Sequence, residues 1–179
     1  MENNMFQKEN FENLLAVALS KKIITSGDLK PFRETELVLE DFLNWLNQEK
    51  GYLLHGGAVL IPASEKLISK RKVFHATDDG GVAIIKALFP NNLPGQTNLN
   101  YRIDKSGVQE VVLEGNPTGE LMREKGYIYI LENEGFSNQG TQGIADFEKP
   151  WAEGKTQDYL FVIEVEKSDF NYSYRVGEK

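Results

Sequence analysis

Apolar residues recur at helical spacing through the first fifty positions and at strand-like spacing afterwards. Phe11, Leu14, Leu15, Val17, Ala18 and Leu19 predict a helix that ends near Lys21-Lys22, where cations suit the negative end of the helix dipole. Thr25-Ser26-Gly27-Asp28 reads as a break. A second helix is expected from near Pro31, with Leu37, Leu39, Phe42, Leu43, Trp45 and Leu46 on its apolar side and Gly51 placed to end it. Trp45 reads as core packing of that helix.

From Tyr52 the pattern changes. Runs rich in β-branched and aromatic residues occur at Leu53–His55, Ala58–Ile61, Val73–Ala76, Leu99–Ile103, Val108–Leu113, Tyr127–Leu131 and Tyr159–Val165. One helix is expected among them, over Asp79–Phe89, capped by Thr77 or Asp78 and closed by Pro90. A single helix among many strands argues against repeated βαβ units and for an α+β domain with mostly antiparallel strands. The expected organisation is a helical N-terminal extension over residues 1–50 and the α+β domain over 51–179. Residues 90–98 and 133–157 read as loops, the second long enough to suggest a functional segment.

Composition narrows the function classes. Hydrophobic residues make up 40% of the 179 and charged residues 26%, enough for a packed core. A net charge of −7 argues against general nucleic-acid binding, which needs clustered Lys and Arg; the basic stretch Lys66–Lys72 is the only notable cationic cluster. With no cysteine, disulfides, thiolate nucleophiles and zinc–thiolate sites are excluded. No apolar run approaches the roughly twenty residues of a membrane span. Met1–Met5 is polar and lacks the basic-then-apolar pattern of a secretion signal, so a cytoplasmic, bacterial-type protein is the expectation, with no membrane association.

The chain has two histidines, His55 and His75, so a three-histidine metal site is impossible. His55 closes an apolar strand and is followed by Gly56-Gly57, a setting in which bare backbone lies beside an imidazole that can donate or accept near neutral pH. Such a pair suits a flat or sugar-containing ligand, although a structural hydrogen-bonding role also explains a histidine there. His75 lies inside an alternating strand and reads as a hydrogen-bonded structural residue. Gly80-Gly81 precedes a helix, but neither a G-x-G-x-x-G nor a G-x-x-x-x-G-K-[ST] loop is present, and Asp78-Asp79 would repel a phosphate; capping explains the segment better. Ser64, Ser69 and Ser106 lack a nucleophile elbow, and no H-E-x-x-H spacing supports a metal hydrolase; no metal site is expected.

Tyr52-Leu53-Leu54-His55-Gly56-Gly57 resembles the Y-x-x-H-G-[ST] strand of the ADP-ribosyltransferases. Val73-Phe74-His75-Ala76-Thr77 with Val82-Ala83-Ile84-Ile85 is similar to that family's next strand and helix, and Gly126–Leu131 with Phe136 to an element of its small bacterial relatives. The resemblance runs in short patches over residues 52–170. It implies an ADP-ribosyltransferase-like fold and NAD as substrate, with a pocket at His55, Gly56 and Thr77 and an aromatic from Tyr101 or Tyr127. It also implies cleavage of the ribose–nicotinamide bond and transfer of ADP-ribose to a protein acceptor (mono-ADP-ribosyltransferase) or to water (NAD glycohydrolase). Three departures stand out. His75 adds a residue before Ala76-Thr77 that many relatives lack. Gly57 replaces the usual Ser or Thr, and the family's late-strand glutamate is absent: Asp158 stands at that position, with Glu153 in the preceding loop as the other candidate acid. A carboxylate there would stabilise developing positive charge on the sugar. An aspartate is one methylene shorter, and a misplacement of about 1 Å costs on the order of a hundredfold in rate. The alternative the residues leave open is a non-catalytic protein-interaction module that kept the scaffold without the glutamate.

Overall fold

A computed structural model describes residues 2–35, 37–68, 73–104, 107–134, 136–138, 146–150 and 156–177. Along the chain they form α1 (Glu2–Lys21), β1 (Ile23–Ile24), α2 (Ser26–Arg33), α3 (Leu39–Lys50), β2 (Leu53–Gly57), β3 (Leu67–Ile68), β4 (Val73–Thr77) and α4 (Gly80–Leu88). Then follow β5 (Gln96–Asp104), β6 (Gly107–Gly115), β7 (Lys125–Leu131), β8 (Ser137–Asn138), β9 (Asp146–Pro150), β10 (Thr156–Gln157), β11 (Phe161–Glu166) and β12 (Ser173–Gly177). The architecture is mixed α+β. A seven-stranded sheet runs in the order β1-β11-β7-β2-β4-β9-β8, a three-stranded sheet in the order β12-β6-β5, and β10 pairs with β3. Pairing is antiparallel except for β1 with β11 and β12 with β6. Among the described residues, no helix is long and apolar enough to cross a membrane.

The N-terminal fifty residues carry three helices and also one strand of the main sheet. Ile23 and Ile24 lie beside Val162 and Ile163, and Phe11, Leu14, Leu29, Phe42 and Leu46 join the same apolar cluster as Ile128, Ile130 and Phe161. Trp45 packs on this cluster, 5.6 Å from the Phe11 ring and stacked at 5.9 Å on Phe42.

Thr25–Asp28, expected as a break, instead starts α2. The Thr25 hydroxyl accepts from the Asp28 amide while the Asp28 carboxylate accepts from the Thr25 amide, a reciprocal cap that satisfies two amides with no helical partner. Pro31 sits inside α2, and the following helix begins at Leu39 rather than near the proline. Gly51 ends α3 with φ 70°, the left-handed conformation that glycine takes without a Cβ clash. Ala58–Ile61 is not a strand but a loop. The stretch expected as one long loop over 133–157 contains three short strands, of which β9 pairs along the whole of β4.

Helix α4 is the centre of the molecule. All its residues but Lys86 are buried, as its nearly uninterrupted apolar sequence requires. Asp79 is its N-cap, accepting from the Val82 amide at 2.8 Å, and Asn44 of α3 accepts from the Gly80 amide at 2.7 Å. The helix lies on β2 and β7 through two glycines. A Cβ on Gly56 would come within 2.3 Å of the Ala83 carbonyl oxygen, and one on Gly126 within 2.3 Å of that of Ala87. Nearby, the Tyr172 hydroxyl donates to Glu40, whose carboxyl is pushed above its usual range chiefly by burial.

Candidate functional site

Strands β2 and β4 share a single residue pair, Leu54 with Thr77, before they diverge. At that parting lies a cleft of about 510 Å³, within the usual size range of ligand pockets. His55 and Gly56 line it from β2, Ala76 and Thr77 from β4, Val82 and Lys86 from α4, and Asn98 and Leu99 from β5. The lining is therefore mixed, with apolar walls and a few polar groups that converge from four elements.

Alternation along β2 decides which way each side chain goes. Leu54 joins the cluster around α4, whereas Leu53 joins a second cluster with Tyr129, Leu131 and Val162 on the other side of the sheet. His55 follows Leu53: it is half-buried, pairs with Tyr129 across the strands, and its ring lies 6.3 Å from the Tyr129 ring. Tyr129 is buried and fixed by its hydroxyl. It accepts from the Ile61 amide at 2.8 Å and donates to the Val59 carbonyl at 2.5 Å. Tyr159 packs edge-on against it and donates to the Ile61 carbonyl at 2.7 Å. Burial pushes the Tyr129 phenol up to about 12.

Thr77 is buried, and its hydroxyl accepts from the Asp79 amide at 3.2 Å, which fixes the turn from β4 into α4. Lys86 is one helical turn after Val82, so both reach the cleft from one face of α4, and its ammonium lies 5.2 Å from the centre of the Tyr101 ring. On β5, Asn98 accepts from the Leu99 amide and donates to Asn100, which donates in turn to Glu114 at 2.6 Å.

The structure thus brings together His55, Gly56 and Thr77. Tyr101 is half-buried and is not among the residues lining the cleft, although its ring lies beside the lining residue Lys86. Tyr127 is half-buried opposite Gly57 and packs on the second cluster; it is not among the residues lining the cleft. Asp158 is exposed just before β11, its side chain 77% accessible and paired with Lys66 at 2.9 Å. It too is not part of the lining. Glu153 lies outside the described residues, as does Ser69–Lys72 of the basic stretch. Gly56, read as a backbone approach for a ligand, lines the cleft but also has a packing duty: its missing side chain is the space that α4 occupies.

Sequence reasoning did not single out Lys86, Asn98, Leu99 or Tyr129. A signal for Lys86 was present, since it is the one charge within the apolar run Val82–Phe89. Tyr129 shares its alternation with Tyr127, and only the pairing of β7 with β2 sets it opposite His55. Among the described residues, no group of three or more His, Asp or Glu is placed to hold a metal ion. Comparison with protein-family models, with curated proteins and with solved structures gives no match.

Proposed function

We propose that the cleft between β2, β4 and α4 is a nucleotide pocket of ADP-ribosyltransferase type that takes NAD. The observation that carries this reading is the convergence of His55, Gly56 and Thr77 on one cleft of about 510 Å³, where a strand pair parts. Those are the residues that the family resemblance assigns to NAD. In this reading the His55 imidazole orients a ribose hydroxyl and an aromatic stacks on nicotinamide; of Tyr101 and Tyr127, Tyr101 is the one whose ring lies beside a lining residue, Lys86. The reaction would break the bond between the ribose anomeric carbon and nicotinamide, whose nitrogen leaves with the electron pair. A nucleophile on a protein acceptor, or water, would then form the new bond and lose its proton. Asp158 or Glu153 would stabilise the cationic sugar.

One observation favours the second reading, a non-catalytic binding module on the same scaffold. Asp158 is solvent-exposed and paired with Lys66, whereas a carboxylate that stabilises a cation gains most where water is excluded.

Calorimetric titration of NAD into the protein and its His55→Ala variant tests the pocket. Micromolar to low-millimolar binding that is lost in the variant supports it, and no heat at millimolar NAD sinks it. Nicotinamide release separates the two readings. Turnover abolished by Asp158→Asn identifies an enzyme, and binding without release identifies the module.

A further inference from the structure

The sheets end in strand edges of unequal kind. Among the described residues, the outer strands β1 and β8 of the large sheet are two residues long, as are β3 and β10, and β5 shifts register against β6 at two places. Short and bulged edges resist pairing with another chain. β12 differs from them. It runs beside β6 for five residues with no register shift, contains neither proline nor lysine, and is exposed from Ser173 to Val176. Among the described residues β6 is its only strand partner, which leaves it at the rim of the three-stranded sheet. Its side chains extend the pattern of that neighbour. Tyr174 lies beside Val111 and Val176 beside Leu113, and both inner residues are fully buried. Tyr174 and Val176 continue this apolar face past its cover and stay 42% and 44% exposed, the Tyr174 ring resting edge-on against Phe89 and Phe170. Arg175 turns to the other face and donates to Glu110 at 3.1 Å.

We propose that β12 is the contact between two copies of this chain, which pair antiparallel across a two-fold axis at Arg175 and join their three-stranded sheets into one of six. The strand is self-complementary in that register. Tyr174 of each copy falls opposite Val176 of the other, so the exposed apolar side chains cover one another on one face. On the other face the two Arg175–Glu110 pairs meet, two cations with two anions, which offsets the repulsion of the opposed arginines. A slip of one residue would set the apolar pair against the charged face, so the register is specified. A two-fold contact also closes at the dimer. The strand spans only about 17 Å, so the contact is small and association is in the micromolar range or weaker. The pairing is independent of the nucleotide reading, because Asn98 and Leu99 line the cleft from β5, at the opposite edge of the same sheet.

The test is sedimentation velocity of the full chain from low micromolar to near-millimolar concentration, for the native protein and for Val176→Lys. Single cysteines then read the register, since the sequence has none of its own. Directly opposed residues of an antiparallel pair have Cα atoms about 4.5–5.5 Å apart, within reach of a disulfide, whereas Ser173 of the two copies would be about 14 Å apart. Circular dichroism and the melting temperature show that each variant is folded. The expected result is a concentration-dependent dimer that Val176→Lys weakens by about tenfold or more, because the two-fold axis repeats the change. Under mild oxidation Arg175→Cys cross-links to a dimer and Ser173→Cys does so far more slowly. A native protein that is monomeric at every concentration overturns the proposal. So does a dimer that a folded Val176→Lys leaves intact, or one in which Ser173→Cys cross-links as readily as Arg175→Cys. If Val176→Lys does not fold, the two cysteine variants decide between the same outcomes.

Discussion

Gly56 and Gly57 are neighbours in β2, yet they face opposite sides of the sheet and meet different surroundings. A Cβ on Gly56 would lie 2.3 Å from the Ala83 carbonyl oxygen and 2.7 Å from the Ala87 nitrogen, both backbone atoms of α4. A Cβ on Gly57 would lie 3.3 Å from one ring carbon of Tyr129. One side of the sheet is therefore set by backbone against backbone, with no side chain able to yield. The other is set by a tyrosine ring and a loop that its hydroxyl holds at Val59 and Ile61. The cleft lies where these two regimes meet: Lys86 comes from the unyielding helix, and His55 lies against the tyrosine.

The sharpest way to break the comparison is Gly56→Ala. Nothing near it can move aside cheaply, so the expected loss is about 3 kcal/mol or more, read as a lower urea midpoint at unchanged slope. A loss below about 1 kcal/mol would show that α4 slides on the sheet more freely than backbone contact permits. Next in size is Tyr129→Phe, which removes two hydrogen bonds and strands the Ile61 amide and the Val59 carbonyl. A loss of about 1–3 kcal/mol is expected, with faster hydrogen exchange at Ile61. Exchange at Ile61 as slow as in the native protein would show that the loop is held by something else.

The same hydroxyl gives a pH dependence. The Tyr129 phenol is raised to about 12 in the folded protein, mainly by burial, against about 10 in an unfolded chain. A raised value means that folding favours the neutral phenol. Its contribution is complete below pH about 10 and is lost as pH rises through about 12. Tyr129→Phe should flatten the fall in stability across that window but not abolish it, because burial raises Tyr159 and Tyr172 too. An identical alkaline fall in both proteins would exclude this titration as a cause. The smallest effect is expected for Gly57→Ala, below about 1 kcal/mol by the same urea assay, because a ring can shift by a few tenths of an ångström. A loss as large as that of Gly56→Ala would erase the distinction between the two sides.

Much of the fold was legible because local pattern and final burial agree. The apolar spacing of α3, the strand character of β2 and β7, and the closure of α4 all follow from neighbours in sequence. The cap of α4, however, is Asp79 and not Thr77 or Asp78 as expected, because it is the Asp79 carboxylate that accepts from the Val82 amide. What was hidden depends on distant partners. Asp146–Pro150 is polar and has no alternating apolar set, yet it is a strand because β4 offers it an unpaired edge. Ile23–Ile24 is too short to announce itself, and only β11 makes it a strand. The cap at Thr25–Asp28 has a signature of its own, a Thr followed three residues later by an acid, but Ser26 and Gly27 between them carry the competing signal of a turn. In the site, His55 and Thr77 were visible as polar residues in apolar strands. The place of Lys86 required knowing that α4 is buried on all other sides.

The parallel pair of β1 with β11 has a consequence for how the chain is made. Ile24 is synthesised long before Ile163, the residue beside it in the sheet, so the first strand must wait for the eleventh. Until then the apolar side chains of Ala18, Ile24 and Leu29, all fully buried in the finished protein, lack their cover. Chains ending after Pro150 are therefore expected to be cut readily by protease around β1, and chains extended past Glu166 to resist. Equal resistance of both would mean that the N-terminal helices hold that strand without its partner.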